Sequence, residues 1–390
     1  MQFPKSMNAA ILIEQNKPLV IDRVELPQEL EVGQVLVKIH FSGICGSQLG
    51  EIDGAKGEDK YLPHLLGHEA SGVVQSVGAG VKHVKSGDQV VLHWRKSQGI
   101  ESMPPRYTWN GKPLNAGLIT TFNEYAIVSE NRLTPVSTSI DMEIASLFGC
   151  AVTTGFGVVE NNAKIKLGES VIVFGAGGVG LNIVQAANLL SGYPIIAVDL
   201  YDERLDLAKT FGATHTINSH TTDAKAMIKE IMGGQGVDAF IDNTGQPAII
   251  EMGYELTKAK GRVVLVGVPE AHPQRRAAQV TEVGRTAVVV DATGRRVDQL
   301  AGAVGLRGDG HGETDAGELE FLNRLSNRGR WRPTAQHDRA ERSLGEMQGD
   351  AVQRQGVLVL REACQQDPTR ARRRLHESDE LARGGLEDLR

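Results

Sequence analysis

The sequence has 390 residues, of which 41% are hydrophobic, and a formal net charge of -6. This length allows two domains with substantial cores, and the weak acidity argues against nucleic acid or an anionic membrane as partner. No apolar run approaches the about 20 residues that cross a bilayer, and the first residues lack the apolar core and cleavage site of a signal peptide. Three cysteines do not suggest a disulfide framework, so we predict a cytoplasmic protein.

Residues 7 to about 95 favour β structure. Four short apolar or alternating runs are separated by glycine, proline and acidic turns, and predict strands at 9–13, 35–41, 70–77 and 89–93. Several short strands at this spacing indicate a barrel or sandwich. The next stretch, residues 96–118, is polar and contains three prolines. We predict an irregular surface excursion there.

Three residues in this half of the chain are candidate metal ligands. Cys45 lies in GICGS, His68 in GHE and Cys150 in LFGC. Two thiolates and one imidazole bind zinc in tetrahedral geometry and leave the fourth position open, as a catalytic zinc requires. Each residue alone also has a structural explanation. Cys150 fits a buried small apolar position, and His68 fits a ring bonded to a backbone carbonyl.

From about residue 160 strands alternate with helical stretches. The predicted strands are 171–174, 195–199, 238–241 and 262–266. This alternation predicts a parallel sheet with helices on both faces.

The first of these strands opens into a glycine-rich motif, VIVFGAGGVG at 171–180. Gly175 allows a tight turn, Gly177 lets the backbone approach a pyrophosphate, and Gly180 lets the following helix, predicted at 181–190, pack closely on the strand. The helix N-terminus then offers free N–H groups to the phosphates. Asp199 ends the next strand and is expected to accept hydrogen bonds from an adenosine ribose, which favours NAD over NADP. The alternative is a glycine-rich turn in an unrelated α/β protein.

The composition changes after about residue 270. The last 120 residues contain 20 arginines and no lysine, isoleucine or tyrosine, whereas the first 270 contain 16 lysines and 6 arginines. One hypothesis is that this segment is read, wholly or partly, in a shifted frame or derives from another source. The alternative is ordinary drift under a GC-rich codon bias. Sequencing the DNA across codons 265–275 and 355–362 separates the two.

Four segments together resemble the zinc-dependent medium-chain alcohol dehydrogenases: GICGS, GHEASGVVQSVGAGVKHVKSGDQVV, LFGCAVTTGFG and VIVFGAGGVG. The resemblance covers residues 7 to about 269. It implies an α/β protein, with a GroES-like β-barrel catalytic domain, a Rossmann domain built on a doubly wound parallel sheet, and an active site in the cleft between them. We place the GroES-like domain at 1–160, the NAD-binding Rossmann domain at 161–300, and an arginine-rich tail at 301–390. The tail is nominally the end of the Rossmann domain and the return to the catalytic domain.

The resemblance also implies roles for single residues. The implied zinc ligands are Cys45, His68 and Cys150. Beside them, Glu69 is the implied alternative ligand, Ser47 takes the alcohol proton, and Thr154 packs against the nicotinamide. The implied cofactor-binding residues are Gly175, Gly177, Gly178, Val179, Gly180, Asp199, Arg204, Gly267 and Val268.

The sequence departs from this family in three places. Gln48 stands where the family usually has an aspartate that supports the zinc-bound histidine, and loss of such a partner commonly costs about 10- to 100-fold in metal affinity or activity. Gly50 replaces a histidine that ends the proton relay in some members. The cysteines of a second, structural zinc are missing from 95–118. Four residues there line a substrate entrance or pack the segment onto the barrel: Trp94, Arg95, Tyr107 and Trp109.

The resemblance therefore predicts an enzyme that transfers hydride between a primary or secondary alcohol, or a polyol, and NAD. One catalytic zinc, no structural zinc and a small-molecule substrate are expected, in a homodimer or homotetramer. Three alternatives stay open: a zinc-free quinone or enone reductase, a catalytically impaired member with an aberrant C-terminus, and a protein that senses NAD without hydride transfer.

Overall fold

The computed structural model describes residues 3–55 and 57–267, and the backbone of a strand at Thr286–Val289. Sixteen strands are described: β1 Ser6–Leu12, β2 Val20–Glu25, β3 Gln34–Ser42, β4 His64–Leu65, β5 Glu69–Val77, β6 Gln89–His93, β7 Tyr107–Trp109, β8 Lys112–Leu114, β9 Tyr125–Ser129, β10 Leu133–Pro135, β11 Val171–Phe174, β12 Ile195–Asp199, β13 His215–Asn218, β14 Val237–Asp242, β15 Thr257–Leu265 and β16 Thr286–Val289.

Seven α-helices are described in the same residues: α1 Gly46–Ile52, α2 Met142–Ser146, α3 Ala151–Gly157, α4 Gly178–Leu189, α5 Asp202–Thr210, α6 Ala224–Ile231 and α7 Pro247–Leu256. Short 3₁₀ turns lie at Glu130–Arg132 and Leu147–Gly149, and a π-helical turn at Val158–Ala163. The described residues form two compact units that divide after Cys150.

The first unit is built from two antiparallel five-stranded sheets. Their strand orders are β4-β1-β2-β7-β8 and β10-β6-β5-β3-β9. One apolar cluster is shared by the two sheets and contains Ile11 of β1 and Leu36 of β3, and a second cluster contains Val37 and Leu92 of the second sheet. The four strands predicted before residue 95 are present as β1, β3, β5 and β6, and the expected GroES-like β architecture is confirmed.

The segment predicted as an irregular excursion contains a hairpin, β7-β8. Tyr107 is 1% exposed, and its hydroxyl oxygen accepts a hydrogen bond from the Ile127 backbone N–H at 2.8 Å. The Trp109 indole donates to an Asp22 carboxylate oxygen at 2.8 Å. The prediction of an irregular segment was therefore wrong for 107–114, because cross-strand pairing and aromatic burial outweigh the local prolines. Tyr107 and Trp109 pack the segment onto the barrel.

Polar contacts to the strands hold the preceding loop, residues 95–103. The Glu130 carboxylate is 1% exposed and accepts from the Ile100 N–H at 2.9 Å and from the His83 N–H at 2.7 Å. Arg132 pairs with Glu101 at 2.9 Å, and the Gln34 amide donates to the Met103 carbonyl at 3.0 Å. This loop is thus fixed by one buried carboxylate and a few side chains of the sheet.

Replacement of Glu130 by glutamine is expected to lower the free energy of unfolding by about 1–3 kcal/mol. An amide N–H₂ would then face backbone N–H donors, and each donor opposite it would lose its acceptor. Burial opposes ionisation of Glu130, but the backbone N–H groups outweigh it and lower its pKa. Its stabilisation is therefore complete above about pH 4.3, the unfolded value, and is lost as the pH falls through the folded pKa. Urea unfolding at pH 7 and at pH 4 measures both effects.

The matched control for this prediction is Glu29→Gln, which removes the same charge from an exposed position. We expect it to change stability by less than about 0.5 kcal/mol. Equal effects of the two substitutions would contradict the role given to Glu130.

The second unit contains a parallel sheet in the order β13-β12-β11-β14-β15-β16. Residues of β11 alternate between two apolar clusters: Val171 and Val173 belong to one, Ile172 and Phe174 to the other. A strand buried on both faces reads as a continuous apolar run, which explains why this strand was predicted at its exact bounds. The parallel sheet and the Rossmann-type fold are confirmed.

Among the described residues, no single helix has the length and apolar character to cross a membrane. One bent pair, Met142–Gly149 followed by Ala151–Ala163, passes that test by length and composition alone.

Candidate metal and cofactor sites

Cys45, His68 and Cys150 come together in the first unit. Their ligand atoms all lie within 4.8 Å of one another, and this is the one group of three or more potential metal-binding side chains in residues 3–55 and 57–267. Cys45 is the N-cap of α1 and follows β3, while His68 immediately precedes β5. Cys150 follows the 3₁₀ turn Leu147–Gly149. Sequence positions more than 100 residues apart therefore supply one cluster.

The His68 ring presents two different nitrogens to its surroundings. Nδ1 lies 2.6 Å from the Gln48 amide nitrogen and 3.5 Å from the Ser47 hydroxyl oxygen. Nε2 is buried and has no hydrogen-bond partner among the described residues. A buried polar atom without a partner is costly, and a metal ion satisfies it. Two sulfurs and one imidazole nitrogen are a donor set that suits zinc, so these residues fit the metal that the sequence implies.

The electrostatics of the cluster favour the thiolate form that a metal ligand needs. The neighbouring Cys150 thiol is the largest cause that lowers the pKa of Cys45, to about 3, against its desolvation and with support from the His68 ring. Burial opposes protonation of His68, but the adjacent Cys45 sulfur outweighs it and raises the pKa of the ring. The lowered pKa of Cys45 favours its thiolate form, which a metal ligand requires.

Glu69 is buried directly behind this cluster, with 2% of its surface exposed. A Cβ on Gly43 would lie 2.7 Å from the carboxylate carbon of Glu69, and a Cβ on Gly149 would lie 2.7 Å from the Cβ of Glu69. Both glycines are thus needed for the carboxylate to fit between the segments that carry Cys45 and Cys150. This places Glu69 beside the candidate ligands, where the resemblance expects it.

The glycine motif of the second unit has the geometry predicted from the sequence. Gly175 has φ +88°, a conformation that favours glycine. A Cβ on Gly180 would lie 1.8 Å from the Gly175 carbonyl oxygen, whereas a Cβ on Gly177 would meet no atom within 4 Å. Gly177 is the N-cap of α4 and brings no capping side chain, so the N–H groups of Gly178 and Val179 are available to an anion.

Asp199 stands at the C-terminal end of β12, beside the glycine motif. Its Oδ2 accepts from the Ala176 N–H at 2.7 Å, and its Oδ1 accepts from the N–H groups of Leu200 and Tyr201. The Arg204 guanidinium lies 3.5 Å from Oδ1 and over the Tyr201 ring. The three backbone hydrogen bonds occupy three of the about four acceptor positions of a carboxylate, which leaves one, on Oδ2, for a ribose hydroxyl. Asp199 also holds the glycine loop itself, which the sequence did not reveal.

A second loop at this edge of the sheet was missed by the sequence analysis. After β14, the buried Asp242 carboxylate accepts from the Thr244 N–H and the Gly245 N–H, both at 2.9 Å. A Cβ on Gly175 would lie 3.2 Å from the Thr244 methyl group, and one on Gly267 would lie 2.3 Å from the Gly245 nitrogen. The available signal was a strand ending in D-N-T-G, since ligands bind at the carboxyl ends of parallel strands.

Thr154 and Val268 are the remaining predicted site residues. Thr154 lies in α3, which packs on α4 through Gly155, where a Cβ would lie 2.5 Å from the Asn182 Cβ. Val268 lies outside the described residues.

A cavity of about 690 Å³ opens in the first unit. Its lining joins His68 and Gln48 to the loop that carries Asp59 and to the loop after β8. Asp59 and His64 form a close pair there, with 2.8 Å between carboxylate oxygen and Nε2. The cavity therefore reaches one candidate metal ligand, His68, from the side of Gln48 and these loops.

Comparisons with known proteins agree with the two units. Residues 31–138 match the alcohol dehydrogenase GroES-like domain, and residues 178–305 match the zinc-binding dehydrogenase family. S-(hydroxymethyl)glutathione dehydrogenase from Synechocystis sp. is 35% identical over 293 residues, 67% of this chain and 78% of that protein. The Escherichia coli protein of the same name is 34% identical over 289 residues, which are 67% of this chain and 77% of that protein.

A solved structure also matches. Benzyl alcohol dehydrogenase from Acinetobacter calcoaceticus superposes with a TM-score of 0.65 and 28% identity, covering 77% of this chain and 88% of that one. Both the sequence and the backbone therefore match over most of the length of these proteins.

Proposed function

Because the chain belongs to the zinc-dependent medium-chain alcohol dehydrogenase family, we propose that it oxidises an alcohol with NAD and, in reverse, reduces an aldehyde or ketone. The observation that carries this proposal is the cluster of Cys45, His68 and Cys150, whose ligand atoms lie within 4.8 Å of one another around a buried, unpartnered Nε2.

The three side chains would hold one zinc ion and leave a fourth position for the substrate oxygen. Zinc supplies a Lewis acid there, which lowers the pKa of a bound hydroxyl by several units. Ser47 would take up the released proton, and the 3.5 Å between its hydroxyl oxygen and His68 Nδ1 supports this role. Glu69 is the proposed alternative ligand. The first unit thus provides the acid, the proton acceptor and the substrate position.

The second unit would hold the cofactor. The N-terminus of α4 would receive the pyrophosphate over Gly177, where the absence of a side chain leaves open space. The Asp199 carboxylate would bind the adenosine ribose and repel a 2′-phosphate, so we propose NAD rather than NADP. Thr154, Arg204, Gly267 and Val268 are the proposed further contacts. A nicotinamide held there would supply the hydride acceptor, and the role of these residues would be to position it.

The substrate proposal is a primary or secondary alcohol larger than ethanol. A cavity of about 690 Å³ beside His68 lies within the range of about 300–1,000 Å³ that is typical for ligands of drug size. The named relatives act on S-(hydroxymethyl)glutathione and benzyl alcohol, which supports a bulky alcohol. We further propose a cytoplasmic homodimer or homotetramer.

The test is zinc content and cofactor reduction on the same purified full-length protein. We expect one zinc per chain, and NADH formation with benzyl alcohol or another bulky primary alcohol at a rate well above that with NADP. Removal of zinc by a chelator should stop the reaction, and added zinc should restore it.

Three other outcomes would overturn the proposal, each in favour of a different function. Quinone or enone reduction that survives chelation would favour the zinc-free reductase. Binding of NADH without turnover on any alcohol would favour a sensor. Protein that binds neither zinc nor NADH would favour the impaired family member.

A further inference from the structure

The amide of Gln48 lies between two groups of the candidate metal site. Its Oε1 accepts a hydrogen bond from the Cys45 backbone N–H at 3.2 Å, and its Nε2 lies 2.6 Å from His68 Nδ1. The residue is 3% exposed, so water does not replace either partner. Both contacts are satisfied only when Nδ1 is an acceptor, because an amide N–H₂ can only donate.

This arrangement conflicts with metal binding at the other ring nitrogen. A neutral imidazole carries one proton, and a metal on Nε2 requires that proton to be on Nδ1. Nδ1–H would then point at the Gln48 N–H₂, donor against donor. If the amide turns over, Oε1 accepts from Nδ1–H, but the N–H₂ faces the Cys45 N–H instead. One amide oxygen cannot replace the two acceptors that the metal-bound state needs.

We propose that Gln48 is a positioning residue that sets the zinc affinity of this site, and that it holds that affinity below what a carboxylate at the same place would give. The inference rests on the proposed function, since it assumes zinc at Cys45, His68 and Cys150. Binding of zinc forces the amide to exchange its partners and to give up the bond from Cys45. The site therefore gives up zinc more readily than a site with two acceptors at position 48.

The substitution Gln48→Glu tests this directly, because glutamate has the same length and two acceptor oxygens. One oxygen can accept from the Cys45 N–H while the other accepts from His68 Nδ1–H. We expect zinc to bind about 10- to 100-fold more tightly, the usual size of such an effect. Gln48→Met removes the single acceptor oxygen and the N–H₂ donor with little change in shape and should bind zinc more weakly than the wild type.

The control for charge alone is Leu49→Glu, which adds the same charge one residue further along α1 at a position 42% exposed. The readout is the zinc dissociation constant of the full-length protein, measured by competition with a chromophoric chelator. A second readout is the rise in melting temperature on adding zinc to zinc-free protein, which follows the affinity. Neither depends on enzymatic activity.

The expected order of affinity is Q48E, then wild type and L49E together, then Q48M. Equal affinities of Q48E and L49E overturn the inference, whether or not Q48M folds. If every form binds zinc but all affinities agree, the metal site stands and only the role of Gln48 falls. If no form binds zinc, the proposed metal site falls and the inference falls with it.

Discussion

Replacement of Cys150 by serine is expected to remove zinc from the protein and to lower the rate of alcohol oxidation by about three orders of magnitude. A hydroxyl is a far poorer ligand than a thiolate, and the cluster would keep only Cys45 and His68. Zinc contributes several kcal/mol to the stabilisation of the transition state, and each ~1.4 kcal/mol is tenfold in rate. Zinc content by atomic absorption and NADH formation on the same sample measure both effects.

The matched control is Cys364→Ser, at the one other cysteine of the sequence, which should leave zinc content and rate unchanged. NADH binding should also survive Cys150→Ser, because the glycine motif belongs to the other compact unit. A Cys150→Ser variant that keeps its zinc and its activity would show that the cluster is not the metal site.

Alanine at either of two glycines of the cofactor motif is expected to weaken NADH binding, but only one of the two substitutions should lower stability. In Gly180→Ala the new methyl group would lie 1.8 Å from the Gly175 carbonyl oxygen, so α4 must move away from β11. Such overpacking typically costs about 1–3 kcal/mol of stability and sometimes more, and the displaced helix should also lose NADH. In Gly177→Ala the methyl group meets no protein atom within 4 Å, and the backbone there, with φ -74° and ψ -168°, suits alanine.

We therefore expect Gly177→Ala to melt as the wild type does but to bind NADH at least about tenfold more weakly, a loss of ~1.4 kcal/mol. The methyl group occupies the space that the pyrophosphate needs. Thermal unfolding without cofactor and fluorescence titration with NADH separate the two effects. The assignment of the phosphate site would be wrong if Gly177→Ala bound NADH with unchanged affinity.

Strands were predictable where both of their faces are buried, and less predictable where most of their residues are partly or fully exposed. β11 and β12 are buried on both faces and appear in the sequence as uninterrupted apolar runs. By contrast, β13 reads His-Thr-Ile-Asn with only Ile217 buried, so it carries no such signal. The first half of β15 was also missed, because Lys258 and Lys260 in it are exposed. Strand pairing, rather than local sequence, creates these elements.

The candidate site was predictable as a set of residues but not as a network of bonds. Cys45, His68 and Cys150 were identified through the family resemblance, since their spacing alone did not favour a metal over burial. The hydrogen bond that the Gln48 oxygen accepts from the Cys45 N–H depends on backbone geometry at the start of α1. The bond from Ala176 to Asp199 likewise requires the loop to fold back on the next strand. Such contacts join segments whose separation in sequence carries no information about them.

The contacts that hold the 95–103 loop have a consequence for the protein when metal is scarce. Three side chains hold it: Glu130 and Arg132 of the 3₁₀ turn after β9, and Gln34 of β3. The loop therefore keeps its shape whether or not metal is plentiful. If the metal site is as proposed, removal of zinc is expected to stop turnover while the hydrogen bonds of this loop stay in place.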